Sequence, residues 1–272
     1  MTRRPLSWRA ELGRQLRRRR TLWSLGLLGA LPLILVGAFA IGNTGTPGSG
    51  TRLVDLATEG SANFTVFTLF ATADFLLVVL AALFSGDTVP AEASWSTLRY
   101  LLTAPVARAR LLASKLTVAV AGMVAVVVTL PLWSMLVGGV AYGWQPFTGT
   151  SGIGIGWPDF WVRLGIAVTF IAVNLLQVCG IAFLFGTLTD APLGAVGGAV
   201  LVTILASILD AVEALGPIRN ALPMHYSRSW VQAFAPEIDW SSLQRGAGWS
   251  VIYALITVTT GFLVFRRRDI VS

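Results

Sequence analysis

The sequence predicts an all-α polytopic membrane protein with six transmembrane helices, organised as a single transmembrane domain over residues 1–272. Hydrophobic residues make up 55% of the chain and charged residues only 12%, whereas a soluble domain carries about 25% charged residues. The mean hydropathy is +0.73. The apolar residues are also gathered into long segments, so lipid is the expected solvent for most of the chain.

Six segments have the length of about 20 residues that is needed to cross the hydrocarbon core. They run approximately from Leu22 to Ile41, Phe64 to Phe84, Leu112 to Val137, Val162 to Leu184, Leu193 to Val212 and Ala247 to Phe265. Pro131 lies inside the third segment and predicts a kink. The first segment exceeds the apolar region of a cleaved signal peptide, which has about 7–15 residues, so we expect a retained anchor.

The basic residues are unevenly distributed around these spans. Most of them precede the first span, lie between the second and third, or follow the sixth: Arg3, Arg4, Arg9, Arg14, Arg17 to Arg20, Arg99, Arg108, Arg110, Lys115 and Arg266 to Arg268. Because such residues accumulate on the cytoplasmic side, we expect a multi-pass protein with both termini inside. The arginine-rich, lysine-poor usage suggests a bacterium with GC-rich DNA, so the expected location is the bacterial cytoplasmic (inner) membrane. Their position beside apolar spans favours membrane orientation over nucleic-acid binding as the reason for the net charge of +7.

Residues 1–21 predict an amphipathic helix that lies in the cytoplasmic interface of the bilayer. Trp8, Leu12 and Leu16 recur every four residues and therefore share one helical face, with arginines around them. A tryptophan directed inward and arginines directed toward lipid phosphates are typical of interfacial helices. The alternative is a disordered basic arm.

The segment 213–246, between the fifth and sixth spans, predicts a re-entrant outer segment. It contains Pro217, Pro223 and Pro236 and is nevertheless rich in aromatic residues: Tyr226, Trp230, Phe234 and Trp240. Short broken helices that dip into the outer leaflet would account for both features. Non-helical backbone is tolerated at that depth where protein or water surrounds it.

The chain lacks the residue patterns of an enzyme or a metal site. Its one cysteine, Cys179, and one histidine, His225, provide no zinc-type ligand spacing, so we expect both to be incidental. The sequence contains no H-E-x-x-H motif and no G-x-x-x-x-G-K-[ST] phosphate-binding loop. We therefore expect no catalytic residues, no metal and no cofactor in this chain.

The loop between the second and third spans, residues 86–111, predicts an ordered cytoplasmic element. A helix-start signal lies at residues 87–90. Three large apolar residues then fall on one helical face: Trp95, Leu98 and Leu102. Pro105 ends or kinks this helix. A short amphipathic helix on the cytoplasmic side presents a surface that a soluble partner could bind.

Several residues of this loop match a family signature in order. They are Glu92, Ser96-Thr97-Leu98, the run from Leu101 to Arg108 that contains Pro105-Val106, and Lys115. The loop thereby resembles ABC-2-type transporter permeases, although Ser96 replaces the usual glycine. Two weaker similarities are Leu222 to Tyr226 followed by Trp230, and Phe265 to Ile270, which resemble the outer segment and C-terminal ending of that family.

The resemblance implies the membrane-spanning permease subunit of an ATP-driven exporter, which forms the translocation path for a drug, antibiotic or lipid-like substrate. Such permeases pair with a second copy or a homologous permease, and the pair sits on two separate ATPase subunits that bind ATP and magnesium. The loop helix would be the coupling helix. The residues expected to couple to the ATPase are Glu92, Trp95, Thr97, Leu98, Arg99, Leu102, Pro105 and Arg108. Glu92 either pairs with Arg99 or Arg108, or is a solvated acid in the first turn.

Three polar residues lie near the middle of predicted spans: Asp74, Asn174 and Gln177. One hypothesis is that they line the translocation path and that Asp74 binds a cationic substrate. The other is that Asp74 hydrogen-bonds Asn174 or Gln177 and so joins two helices. An alternative function for the chain is a proton-coupled secondary transporter with Asp74 as the carrier, although the internal repeats typical of that class are not evident.

Overall fold

The computed structural model describes residues 19–42, 53–90, 108–149 and 154–267. The interfacial helix expected at residues 1–21 therefore lies almost entirely outside the described residues. Seven of the expected coupling residues also lie outside them: Glu92, Trp95, Thr97, Leu98, Arg99, Leu102 and Pro105. Those expectations stay predictions.

Eight α-helices account for most of the described residues. They are α1 (Arg19–Gly42), α2 (Leu53–Ala57), α3 (Ser61–Ala73), α4 (Leu76–Gly86), α5 (Arg108–Tyr142), α6 (Trp157–Leu188), α7 (Pro192–Asp210) and α8 (Trp240–Arg267). Between α5 and α6, strands β1 (Phe147–Thr148) and β2 (Gly154–Ile155) form an antiparallel pair. Two short 3-10 helices, Glu213–Ala221 and Ser229–Phe234, lie between α7 and α8.

Five of these helices, α1, α5, α6, α7 and α8, are long and apolar enough to cross a membrane. The bent pair of α3 and α4 also qualifies when taken together, so the described residues contain up to six spans. The prediction of a helical protein with several membrane-spanning segments is confirmed, whereas the count of six requires the bent pair to be one span. α5 continues through Pro131, and α8 begins earlier than the sequence predicts, at Trp240.

The second predicted span, from Phe64 to Phe84, consists of two helices bent by 55° instead of one. Three threonine hydroxyls of α3 donate hydrogen bonds to the carbonyl four residues earlier: Thr65 to Ser61, Thr68 to Phe64 and Thr72 to Thr68. Such bonds tend to bend helices. Phe75 then departs from helical geometry, at φ −128° and ψ −64°. The Asp74 side chain therefore projects from a bend, where another segment can reach it.

α6 is the central helix of the bundle. It packs against α4, α7 and α8. Of the 18 consecutive residues that form its most apolar stretch, 61% are buried. α8 approaches α6 closely at Gly180, where a β-carbon would lie 2.3 Å from Thr257 Oγ1. α1 lies at the edge of the bundle, and only 11% of its most apolar stretch of 18 residues is buried. Most of its apolar surface is therefore left for lipid or another chain.

The bundle has two distinguishable ends. At the first, which we call the α4–α5 end, four residues form a small buried cluster: Val89, Leu112, Phe183 and Phe265. They come from the segment after α4, from α5, from α6 and from α8. At the second, the β-hairpin end, the Asn63 amide exchanges two hydrogen bonds with the backbone of Thr148, at 2.8 and 2.9 Å. The described ends of the loop 86–111, at residues 86–90 and 108–111, lie at the α4–α5 end.

Candidate functional site

A charged pair lies at the bend between α3 and α4. The Nε of Arg228, in the turns between the two 3-10 helices, donates a hydrogen bond of 2.5 Å to Oδ2 of Asp74. The Arg228 side chain is 71% exposed and that of Asp74 is 33% exposed, so the carboxylate is the more enclosed partner. The other carboxylate oxygen, Oδ1, is buried and has no hydrogen-bond partner among the described residues. It can therefore accept a further donor or face a further cation.

A second charged cluster lies at the end of α7. The Oδ1 atom of Asp210 lies 3.6 Å from Nε of Arg219 and makes a short hydrogen bond with Nδ1 of His225. Arg219 belongs to the first 3-10 helix and His225 to the turns that follow it. The cluster ties the outer segment to the end of α7. Within the part of the chain that the structure describes, no group of three or more His, Cys, Asp or Glu side chains could hold a metal ion.

One cavity of about 540 Å³, which we call the polar cavity, is lined both by the pair of Asp74 and Arg228 and by the cluster of Asp210, Arg219 and His225. Its walls are the bend of α3 and α4, one face of α7 and the turns between the two 3-10 helices. On α7 the hydroxyl-bearing residues Thr203 and Ser207 line it together with Ile204 and Ile208. A cavity of this volume lies within the range of small-molecule sites, about 300–1,000 Å³.

A second cavity of about 380 Å³, which we call the aromatic cavity, includes Phe70 in its wall, four residues before Asp74. Five aromatic residues line it: Phe67, Phe70, Phe147, Trp230 and Phe234. The guanidinium carbon of Arg228 lies 6.0 Å from the centre of the Phe70 ring, at the outer limit of a cation–π contact. Arg228 therefore stands between a charged cavity and an apolar one.

Asn174 and Gln177 occupy a different position from Asp74. Their amide nitrogens donate hydrogen bonds to Oγ of Ser250 on α8, at 3.1 and 3.3 Å, and Ser250 in turn donates to the Gly246 carbonyl at 2.7 Å. All three side chains are buried. The two amides thus join α6 to α8, and the hydrogen bond of Asp74 goes to Arg228 instead of to either amide. Gln177 also contacts the sulfur of Met224, which lines the polar cavity.

The outer segment is held in place by an arginine of α6. The guanidinium of Arg163 donates hydrogen bonds to the carbonyls of Ala233 and Ala235 at 3.0 and 2.5 Å. These carbonyls belong to the end of the second 3-10 helix, whose Trp230 and Phe234 are buried. Charge-assisted hydrogen bonds of this kind are stronger than neutral ones. Arg163 therefore fixes one wall of the aromatic cavity.

The described flanks of the loop 86–111 are packed against the bundle. Asp87, Thr88 and Val89 are buried at the end of α4, and Lys115 is buried on α5. Gly186 of α6 approaches α4 so closely that a β-carbon there would lie 2.7 Å from the Gly86 carbonyl oxygen. Displacement of the loop would therefore act directly on α4, α5 and α6. Arg108 is the first residue of α5.

Four residues of the site were not found by sequence reasoning: Asp210, Arg219, His225 and Arg228. The sequence suggests that His225 is incidental, because it lacks partners at metal-ligand spacing. The structure gives it a partner in Asp210. One signal was present in the sequence, since a long outer segment that combines prolines, aromatic residues and three arginines is unusual for a plain loop.

The sequence matches the family described as "ABC-2 family transporter protein" over residues 14–206, which is more than half of the 272 residues. No curated protein matches it. The matched range contains Asp74, both amides of α6 and the whole loop 86–111. Arg219, His225 and Arg228 lie beyond it.

Proposed function

This chain belongs to the ABC-2 family of transporter proteins, and from that membership we propose that it is the membrane-spanning permease subunit of an ATP-driven exporter. The observation that carries the proposal is the family match over residues 14–206, which includes the loop with the family signature. Association with an ABC ATPase is general in this family. ATP and magnesium are then bound by a separate ATPase subunit.

The proposed coupling element is the loop 86–111. In this proposal Glu92, Trp95, Thr97, Leu98, Arg99, Leu102, Pro105 and Arg108 form the surface that docks on the ATPase. The packing of the loop flanks supports the proposal, because Val89 and Leu112 share one buried cluster with Phe183 of α6 and Phe265 of α8. Closely packed protein interiors transmit strain. A stroke delivered to the loop would reach four helices.

The proposed assembly has two ATPase subunits and two permeases, the second being another copy of this chain or a homologue. It lies in the bacterial inner membrane with both termini and the loop 86–111 in the cytoplasm. The distribution of basic residues supports this orientation. The substrate class proposed from the family is a drug, an antibiotic or a lipid-like molecule, moved outward.

The proposed translocation path includes Asp74, with Asn174 and Gln177 as neighbouring polar residues of the bundle. The position of Asp74 in the polar cavity supports this role for the carboxylate. The hydrogen bonds of Asn174 and Gln177 to Ser250 favour a helix-joining role for the amides. A proton-coupled secondary transporter gains no support, because Asp74 already has a cationic partner in Arg228.

Co-purification tests the partner. We expect the tagged chain, isolated under mild conditions from its native host, to carry an ATPase that has a phosphate-binding loop. We also expect transport in reconstituted vesicles to stop when ATP hydrolysis is blocked. Transport that continues without ATP hydrolysis, with no ATPase attached, would contradict the proposal.

A pair of substitutions tests the coupling helix. Leu98→Asp with Leu102→Asp places two charges on the predicted docking face, and we expect loss of the ATPase and of stimulated ATP hydrolysis, with normal insertion of the chain. The matched control is Tyr100→Asp, which adds a charge two residues away on the opposite side of the predicted helix. Stimulated hydrolysis that survives in the double variant would show that this face does not couple.

A further inference from the structure

The Arg228 guanidinium lies between a carboxylate and an aromatic ring. Its Nε lies 2.5 Å from a carboxylate oxygen of Asp74, and its guanidinium carbon lies 6.0 Å from the centre of the Phe70 ring. An anionic oxygen and an aromatic face are the two groups that also bind organic cations in ligand sites. Asp74 and Phe70 are four residues apart, so consecutive turns of α3 present both groups together.

The guanidinium is the replaceable member of the pair. The Arg228 side chain is 71% exposed and extends from a segment of turns, whereas Asp74 is 33% exposed and is set at a fixed bend. Asp74 also keeps its Oδ1 buried without a hydrogen-bond partner among the described residues. A carboxylate within a membrane-spanning segment requires a compensating charge. If Arg228 moves away, another cation is therefore favoured in its place.

The apolar part of a ligand has a place beside the same carboxylate. The aromatic cavity measures about 380 Å³ and includes Phe70, the residue that Arg228 covers. The polar cavity measures about 540 Å³ and includes Asp74 and Arg228. A cation in the place of the Arg228 guanidinium would therefore contact the polar cavity through Asp74 and lie about 6.0 Å from the ring of Phe70, in the wall of the aromatic cavity.

We propose that the two cavities bind an amphipathic organic cation, whose charge replaces the Arg228 guanidinium on Asp74 and whose apolar part lies against Phe70 in the aromatic cavity. Arg228 is then an internal competitor that closes the empty site. This inference deepens the proposed export function by naming a substrate class, and it rests on that function for the bound molecule to be cargo.

Two probes of matched shape and opposite charge test the proposal. Radiolabelled tetraphenylphosphonium, a lipophilic cation, and tetraphenylborate, its anionic counterpart, are titrated onto the full purified chain in lipid nanodiscs, with empty nanodiscs subtracted. We expect specific binding of the cation. Asp74→Asn should weaken it by about tenfold or more, because a charge–charge attraction at close range in a partly enclosed site is lost. Phe70→Leu should weaken it less.

Arg228→Gln provides the decisive comparison. It removes the competitor and leaves the carboxylate, so we expect tighter binding of tetraphenylphosphonium, by about threefold to tenfold. The matched control is Glu237→Gln, which removes an exposed acid of the same outer segment and should leave binding unchanged. The double variant Asp74→Asn with Arg228→Gln is neutral at both positions and should bind as weakly as Asp74→Asn alone. Arg228→Gln itself breaks the ion pair, so tighter binding by this variant shows that the chain folds without the pair.

Three results would overturn the proposal. They are cation binding that Asp74→Asn does not change, Arg228→Gln binding no tighter than the unsubstituted chain, and stronger binding of tetraphenylborate that is lost in Arg228→Gln. The last would identify an anion site. These measurements need no ATPase. Their failure, with an ATPase still attached and stimulated, would therefore leave the proposed export function intact.

Discussion

Asp239 shows how one side chain sets the start of a helix. It precedes α8, and its Oδ1 accepts hydrogen bonds from the backbone N–H of Ser241 and Ser242, at 3.0 and 3.4 Å. The two serine hydroxyls donate to the same carboxylate at 2.7 and 2.6 Å. The Ser242 hydroxyl, followed by that of Ser241, lowers the pKa of Asp239 from 3.8 to about 2. This N-cap supports a start of α8 at Trp240, where apolar character alone predicts a start near Ala247.

The lowered pKa predicts a pH dependence. Because the folded state binds the ionised carboxylate, its contribution to stability is full above about pH 4 and is lost as the pH falls through about 2. Asp239→Asn keeps an acceptor but removes the charge. We expect the difference in thermal unfolding temperature between the two proteins in detergent to be constant above about pH 4 and to disappear near pH 2. A difference that grows as the pH falls would contradict this account.

At the scale of elements, the packing of α6 depends on glycines at two close helix contacts. The absence of a side chain at Gly180 lets α8 approach closely, and at Gly186 it lets the end of α4 do so. At Gly186 the obstructing atom is a backbone carbonyl oxygen, 2.7 Å from the position that a β-carbon would take, so no side-chain rotation can relieve the clash. Gly165, on the same helix, is exposed and has no atom within 4 Å of such a β-carbon.

A pair of alanine substitutions on α6 isolates this contact. Both Gly186→Ala and Gly165→Ala gain the same helix propensity, about 1 kcal/mol, but only the first overpacks a contact, at a cost of about 1–3 kcal/mol. We expect Gly186→Ala to be the less stable variant by roughly that cost, measured by tryptophan-fluorescence unfolding in detergent. Equal stability of the two variants would show that α4 moves aside without cost.

At the scale of the whole molecule, the helices α4, α6 and α8 finish at the end where α5 and α7 begin. The described ends of the loop 86–111, at residues 86–90 and 108–111, therefore belong to the same end of the bundle as the C-terminal end of α8. The outer segment, with Arg163 and the β-hairpin, belongs to the other. The orientation proposed from the basic residues thus predicts which positions face each side of the membrane.

Single cysteines test this orientation. In a Cys179→Ala background, we expect Gln232→Cys to react with a membrane-impermeant maleimide on intact cells. Ser94→Cys and Arg267→Cys should react only after permeabilisation. The unsubstituted chain, whose one cysteine is the buried Cys179, provides the unreactive control. Labelling of Ser94→Cys on intact cells would reverse the proposed topology.

Membrane-spanning helices were predictable from the sequence because insertion depends on the summed transfer free energy of about 20 neighbouring residues. The family was predictable because its signature lies in one short loop, and the match over residues 14–206 confirms it. Ends of helices were less predictable, since local caps such as Asp239 and the bend at Asp74 extend or break the apolar pattern. The coupling residues stay predictions, because seven of the eight lie outside the residues that the structure describes.

Partners of the polar residues were decided only by the tertiary structure. Asp74, Asn174 and Gln177 were all found from their position within apolar segments. Yet the amides bind Ser250 of α8, and Asp74 binds Arg228, 154 residues further along the chain. Apolar length determines that a helix crosses the membrane, but it carries no information on how that helix is rotated, bent or paired. Those variables depend on contacts between distant segments, and they determine which charges meet in the cavities.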